Sequence, residues 1–307
     1  MAKLTYEDFK NEIKDNIKTY LSEEYQNYDM EFKQIVNSRG EYEALFVKDS
    51  DKKTSCTPAL NITQAYKDYY VNNMELDDIL RSLADVRMNA IPKSGLVPTD
   101  LIHWNKCKNR LYPRLINTEK NAKYLEGKPT IAMANLSVIY YVLVGEDEDG
   151  IACCSVTNDL MAAWCKDQET IHEQAMANLE SQPYLFFNLA DAINSRDLES
   201  SLDIDEIEPD EFEFPLFMLS TRRKFKGAAM IMNHSVMEKI VAKLGKIVIL
   251  PSSTEEVLIV PKSKAGNLRE LVRIVKSVNS NSVSPEEQLS DNVYEYDIKN
   301  KTLSIAI

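Results

Sequence analysis

The feature that most constrains this chain is a seven-residue apolar run, Val138–Val144, which ends in the acidic turn Glu146-Asp147-Glu148-Asp149-Gly150 and is answered by a second apolar run, Ile151–Val156. The run is far too short to cross a bilayer, which takes about 20 residues. Its length and its β-branched and aromatic content suit a buried strand, which can be extended back to Ala134. Two such runs around a polar, glycine-ended turn make a β-hairpin. Thr157 or Asn158 then caps a helix carrying Leu160, Met161 and Trp164, and a second helix, Gln168–Leu179, stops before Pro183.

The same order recurs twice. Strands over Glu31–Val36 and Glu43–Val47, turning at Ser38-Arg39-Gly40, precede helices over Asn61–Val71 and Leu76–Met88. Strands over Lys246–Leu250 and Glu256–Val260 precede a helix over Leu268–Val278. A helix opens the chain over residues 5–26, capped by Thr5, with Phe9, Ile13 and Ile17 at helical spacing. Further strands are expected at Leu111–Ile116, Phe214–Leu219, Gly227–Met232, Asn292–Tyr296 and Thr302–Ile305. The expected class is α+β, with antiparallel β-hairpins each followed by helices in a recurring hairpin–helix unit. A break at Pro92–Pro98, around Gly95, sets two domains, 1–95 and 96–307. The second contains a mobile acidic segment at 191–213 with a net charge of −9.

The whole chain carries −12, which argues against a constitutive binder of nucleic acid or anionic membrane. The five cysteines lack C-x-x-C spacing, so they read as reduced, space-filling thiols in a cytoplasmic protein. The start, MAKLTYEDFKNEIK, has no apolar leader, and no membrane partner is expected.

Catalytic motifs are sparse. There is no G-x-S-x-G, no G-x-G-x-x-G and no complete P-loop, and no cofactor is expected. His103, His172 and His234 lie far apart in sequence and read as satisfied polar groups. Cys165 and His172, seven residues apart, make a weak nucleophile–base pair. The acids of Glu146–Asp149 lack the spacing of a calcium or magnesium loop. The loop Leu250-Pro251-Ser252-Ser253-Thr254-Glu255-Glu256 lies between two strands; Ser252, Ser253 and Glu256 are its catalytic candidates, with an ordinary turn as the simpler reading. Two basic stretches stand against the acidic background. Residues 101–128 carry net +5 with Trp104, Tyr112 and Tyr124 interleaved, and Arg222, Arg223, Lys224 and Lys226 form the second. Arg114, Arg222, Arg223 and Lys224 are the candidate contacts to an anion or to nucleic acid. The alternative is that these basic groups neutralise 191–213.

Several segments together resemble a known family. They are Leu115-Ile116-Asn117-Thr118-Glu119-Lys120-Asn121, Asn135-Leu136-Ser137-Val138-Ile139-Tyr140, Gly227-Ala228-Ala229, Leu250-Pro251-Ser252-Ser253 with Glu256-Val257, Val278-Asn279, and Leu289-Ser290-Asp291-Asn292-Val293-Tyr294. With the N-terminal hairpin and Pro58-Ala59-Leu60, they are similar, over nearly the whole chain, to a domain-of-unknown-function family abundant in gut Firmicutes. Two positions depart from the family pattern: Asn135 stands where an Asp is expected and Glu255 where a His is expected. The resemblance implies no activity.

The favoured expectation is a non-catalytic cytoplasmic interaction or regulatory protein whose partner is another protein or a second copy of itself. The alternatives are an enzyme with its site at the Pro-Ser-Ser loop, and a nucleic-acid-associated protein of a mobile element.

Overall fold

The computed structural model describes residues 3–37, 40–49, 57–89, 95–148, 150–195, 201–251 and 253–307. The Ser38-Arg39 turn, Cys56, Asp149 and Ser252 lie outside the described residues. By contacts the chain forms two compact units, residues 1–106 with 143–153, and residues 107–142 with 154–307.

In the first unit, helix α1 (Tyr6–Asn16) starts where the Thr5 side chain accepts the Asp8 N–H. It is shorter than its apolar pattern suggests, because the chain tightens into 3₁₀ turns at Ile17–Tyr20 and Glu23–Tyr25. Strands β1 (Asp29–Asn37) and β2 (Gly40–Lys48) pair antiparallel, and the short β3 (Leu60–Asn61) adds to β2. Asn61 then caps α2 (Ile62–Tyr70), and α3 (Leu76–Asn89) follows. Phe9, Ile13, Ile17, Leu45, Leu60, Ile62 and Leu80 make the core. Arg87 is buried beside it, donating through Nε to the Val47 carbonyl at 2.9 Å with its guanidinium over the Tyr25 ring. Gly95 bridges to Gly145, and a Cβ there would stand 2.3 Å from the Val144 carbonyl oxygen.

The chain then runs through α4 (Trp104–Cys107) to β4 (Leu111–Asn117), α5 (Ala122–Leu125), β5 (Ile131–Met133), β6 (Leu136–Asp147) and β7 (Gly150–Ser155). Strand β6 pairs antiparallel with β4 and β5, and β7 also pairs with it. After the hairpin come α6 (Asn158–Ala163) and α7 (Gln168–Glu180), capped by Thr157 and Asp167. Next are β8 (Tyr184–Asn188), α8 (Leu189–Ser195), β9 (Phe217–Thr221), α9 (His234–Leu244), β10 (Ile247–Leu250), β11 (Glu256–Pro261), α10 (Leu268–Ser282), β12 (Tyr294–Asp297) and β13 (Thr302–Ile305). The second unit is built on a six-stranded sheet in the order β13-β12-β10-β11-β9-β8, antiparallel throughout its described registers. The class is α+β. Each hairpin named from the sequence is followed by helix: β1–β2 by α2, β6–β7 by α6 and α7, and β10–β11 by α10.

One expected strand is absent. Gly227–Met232 is a 3₁₀ helix, with all six residues buried. The stretch has the apolar density of a strand. Its first residue, however, packs against backbone that leaves no room for a side chain: a Cβ on Gly227 would lie 2.3 Å from the Glu255 carbonyl oxygen and 2.7 Å from the Thr221 nitrogen. The acidic stretch carries two 3₁₀ turns, Ile204–Glu206 and Pro209–Glu211. They are docked by buried Ile204 and Ile207 and by the Leu202 N–H on the Phe186 carbonyl.

Candidate functional site

The Pro-Ser-Ser loop lies inward. Ser253 and Thr254 are buried, and most of the loop's polar groups hold the loop itself. The Ser253 Oγ accepts the Glu255 N–H at 2.8 Å, and the Glu255 carboxylate accepts the Lys226 N–H at 2.7 Å and the Thr254 hydroxyl at 2.8 Å. The Ser220 hydroxyl donates to the Glu255 carbonyl at 2.6 Å. Burial pushes the Glu256 carboxyl up, against a hydrogen bond from Ser253, with the Glu255 and Glu287 charges adding to the rise. The loop therefore presents a protonation-prone acid, Glu256, and hydroxyls already engaged within the loop, Ser253 with backbone and Thr254 with the Glu255 carboxylate. Ser252 lies outside the described residues.

This loop is one end of a larger polar network. The Ser290 N–H donates to the Pro251 carbonyl and the Thr254 N–H to the Glu287 carbonyl. The Tyr294 hydroxyl bonds Ser290 Oγ and Asn135 Oδ1. Asn117 Nδ2 donates to the Leu289 carbonyl, Lys120 Nζ to Gln288, and Asn279 Nδ2 to the Ser290 carbonyl. Thr118 and Ser137 share a hydroxyl hydrogen bond of 2.8 Å. Segments separated by up to about 170 residues thus converge on one place. Asn135 and Glu255 both sit here in holding roles, Asn135 accepting from the Tyr294 hydroxyl and Glu255 from the Lys226 N–H. Such a network favours one packing of the chain, although the Asn279 Oδ1 is buried without a hydrogen-bond partner among the described residues.

The basic candidates are dispersed in role. Arg114 is half-buried on β4, while Arg222, Arg223 and Lys224 are exposed on the turn after β9. Lys106 pairs with Asp100, and Lys128 lies over the Tyr124 ring at 4.0 Å. The ion pairs described for the acidic stretch run instead to Lys239, Lys243 and Lys264, from Asp205, Glu208 and Asp210.

A cavity of about 170 Å³ opens within the second unit, between β5–β6, α7, the 3₁₀ turn before α9, and the β12–β13 hairpin. Ile131, Met133, Val138, Met176, Ile231, Met232 and Leu303 give it apolar walls, and His172, His234, Tyr296 and Lys301 are its polar groups. Two of the chain's three histidines therefore meet in one concavity, although 62 positions separate them. Asp167 caps α7 and places His172 in its second turn. Asn233 caps α9 and donates through Nδ2 to the Leu179 carbonyl at 2.9 Å, which fixes His234 against the end of α7.

Each histidine is paired with a tyrosine through Nδ1: His172 with the Tyr140 hydroxyl at 3.0 Å, and His234 with that of Tyr296 at 3.5 Å. Burial lowers the pKa of both imidazoles, with Lys301 reinforcing the effect at His234. Burial also raises that of both phenols, Tyr296 to about 12, with Glu238, Glu180 and Asp297 adding to the rise. At neutral pH all four groups are uncharged. Between a neutral phenol and a neutral imidazole the phenol is the better donor, so we assign the bond as O–H to Nδ1 and the remaining imidazole proton to Nε2. The signal missed in the sequence was not spacing but environment: His172 in the second turn of α7 and His234 at the first position of α9 line one cavity only through the packing of these helices on each other and on the 3₁₀ turn Gly227–Met232.

Among the described residues no cluster of three or more His, Cys, Asp or Glu could hold a metal ion, and no helix is long and apolar enough to cross a membrane. A profile described as "Family of unknown function (DUF5688)" matches residues 6–298. The chain belongs to this family. The DUF5688 match takes in both units, the polar network and the lining of the cavity up to Tyr296. Comparison with curated proteins and with solved structures found no match.

Proposed function

We propose that the protein is a non-catalytic regulatory protein that binds a small molecule in the Tyr–His cavity and acts through a protein partner. The cavity carries this reading. Apolar walls with a few convergent polar groups are the usual make-up of a small-molecule site, whereas at the Pro-Ser-Ser loop Ser253, Thr254 and Glu255 are engaged in hydrogen bonds that hold the loop itself. The partner, another protein or a second copy of the chain, is an expectation from the polarised charge. The exposed thiols of Cys153 and Cys165 suit the reducing cytoplasm of a bacterial cell, and the resemblance points to a gut Firmicute.

The test is a thermal-shift screen of the full chain against small molecules, repeated on Met176→Trp, whose indole would fill the cavity. Compounds that stabilise the natural chain and lose that effect in the variant support the reading. Compounds acting equally on both bind elsewhere and refute it, as does a screen without a stabilising compound. Affinity capture with and without nuclease then separates a protein partner from the alternative, nucleic acid held by Arg222, Arg223 and Lys224.

A further inference from the structure

The class of ligand is set by which polar atoms the cavity offers. With Tyr140 donating to His172 Nδ1, the histidine's remaining polar atom is an N–H donor. The Tyr296 pairing leaves His234 in the same state. Lys301, exposed at the β12–β13 turn and close enough to His234 to act on it electrostatically, supplies three more donors. The polar side of the lining is thus rich in donors and carries one positive charge, and a ligand that satisfies it must bring acceptors. The neighbouring acids do not reverse this balance. Glu180 is turned to the backbone N–H groups of α9, Asp297 accepts the Lys299 and Asn300 N–H groups of its own turn, and Asp297, Glu173 and Glu238 are exposed and outside the lining.

The other wall sets size and character. A cavity of about 150 Å³ lined by apolar side chains holds a benzene ring, so the present 170 Å³ takes a ring-sized body or a short branched chain. Met133, Met176 and Met232 are flexible, polarisable walls that adapt to a planar or aliphatic guest.

We propose that the cavity binds a small apolar carboxylate, its body among Met133, Met176, Met232 and Leu303, its carboxylate toward His172, His234 and Lys301. This rests on the cavity being a ligand site. It can be separated from that reading with two probes of equal bulk, benzoate and benzyl alcohol.

The experiment tracks the methionine methyl resonances of the full-length protein during titration with each probe to about 20 mM, a range suited to ligands of this size. The same titrations are run on Lys301→Gln, a change at an exposed turn. The expected result is saturable movement of the Met133, Met176 and Met232 signals, tighter binding of benzoate than of benzyl alcohol, and about a fivefold or greater loss of benzoate affinity in the variant with the alcohol unaffected. Benzyl alcohol binding as tightly as benzoate, or benzoate binding indifferent to Lys301→Gln, overturns the carboxylate assignment and leaves the cavity a ligand site. Methyl signals unmoved by either probe overturn both.

Discussion

The carboxylate of Glu180, the last residue of α7, accepts the backbone N–H of His234 at 2.6 Å and that of Ser235 at 3.2 Å, so one helix ends by capping the next. Ser235 adds its hydroxyl at 2.8 Å. The negative charge also sits at the positive end of the α9 dipole. His234 is therefore held by the residue that terminates the helix bearing His172, and with Asn233 on the Leu179 carbonyl this registers the two histidines to one another.

Replacing Glu180 by Gln should cost about 1 kcal/mol, the usual scale of a helix N-cap. Burial alone would raise the pKa of this carboxyl, but the hydrogen bonds from Ser235 and His234 outweigh it and the net direction is down. A lowered folded-state pKa contributes stability that is present above the unfolded value, about 4.3, and is lost as pH falls through the folded value. Urea denaturation of both proteins should show the gap at neutral pH and its closure in acid; a gap independent of pH would refute the assignment.

Gly227→Ala should destabilise by about 1–3 kcal/mol, as overpacking does. The added methyl would meet the Ser220 hydroxyl at 2.1 Å as well as the two backbone atoms. Pairing it with Ser220→Ala removes the side-chain clash and leaves the backbone ones, so the double variant should remain destabilised. Full recovery of the melting temperature would show that only the hydroxyl mattered.

Glu256 titrates in the opposite sense to Glu180. Burial raises its pKa, so its contribution is fully present below the unfolded value and is lost as pH rises through the folded one. Glu256→Gln should match the natural chain near pH 4 and exceed it in melting temperature near pH 7. Equal pH profiles for the two proteins would contradict the burial argument.

The imidazoles of His172 and His234 should both titrate below about 6.5. The stability their neutral forms supply should be lost as pH falls below that value. Long-range ¹H–¹⁵N spectra should show His172 as the Nε2–H tautomer, and Tyr140→Phe should mix the tautomers. A natural chain already in the Nδ1–H form would reverse the donor assignment on which the ligand class rests.

The hairpins and the helices after them are legible in the sequence because each rests on local periodicity and punctuation: β6 is nearly all apolar, its turn is acidic, and Thr157 caps the helix beyond β7. Gly227–Met232 is not legible as a 3₁₀ helix, because its first residue packs tightly against the Glu255 carbonyl, which only the β9–β11 pairing brings beside it. The cavity was illegible for a similar reason. His172 and His234 sit in unremarkable helical contexts, and only the packing of α7 beside the 3₁₀ turn brings them together. At the Pro-Ser-Ser loop the sequence marks a polar turn between strands, but burial and backbone bonding are long-range facts that composition does not carry.

The cavity's walls come from stretches as far apart as Ile131 and Leu303, so the concavity exists only once the second unit has folded. A molecule that fits it binds the folded chain and not the unfolded one, and at a hundred times its dissociation constant adds about 2.7 kcal/mol of stability. Such a molecule acts as a pharmacological chaperone. In a cell that degrades unfolded chains, the amount of a protein stabilised in this way would follow the concentration of the molecule that fits the cavity.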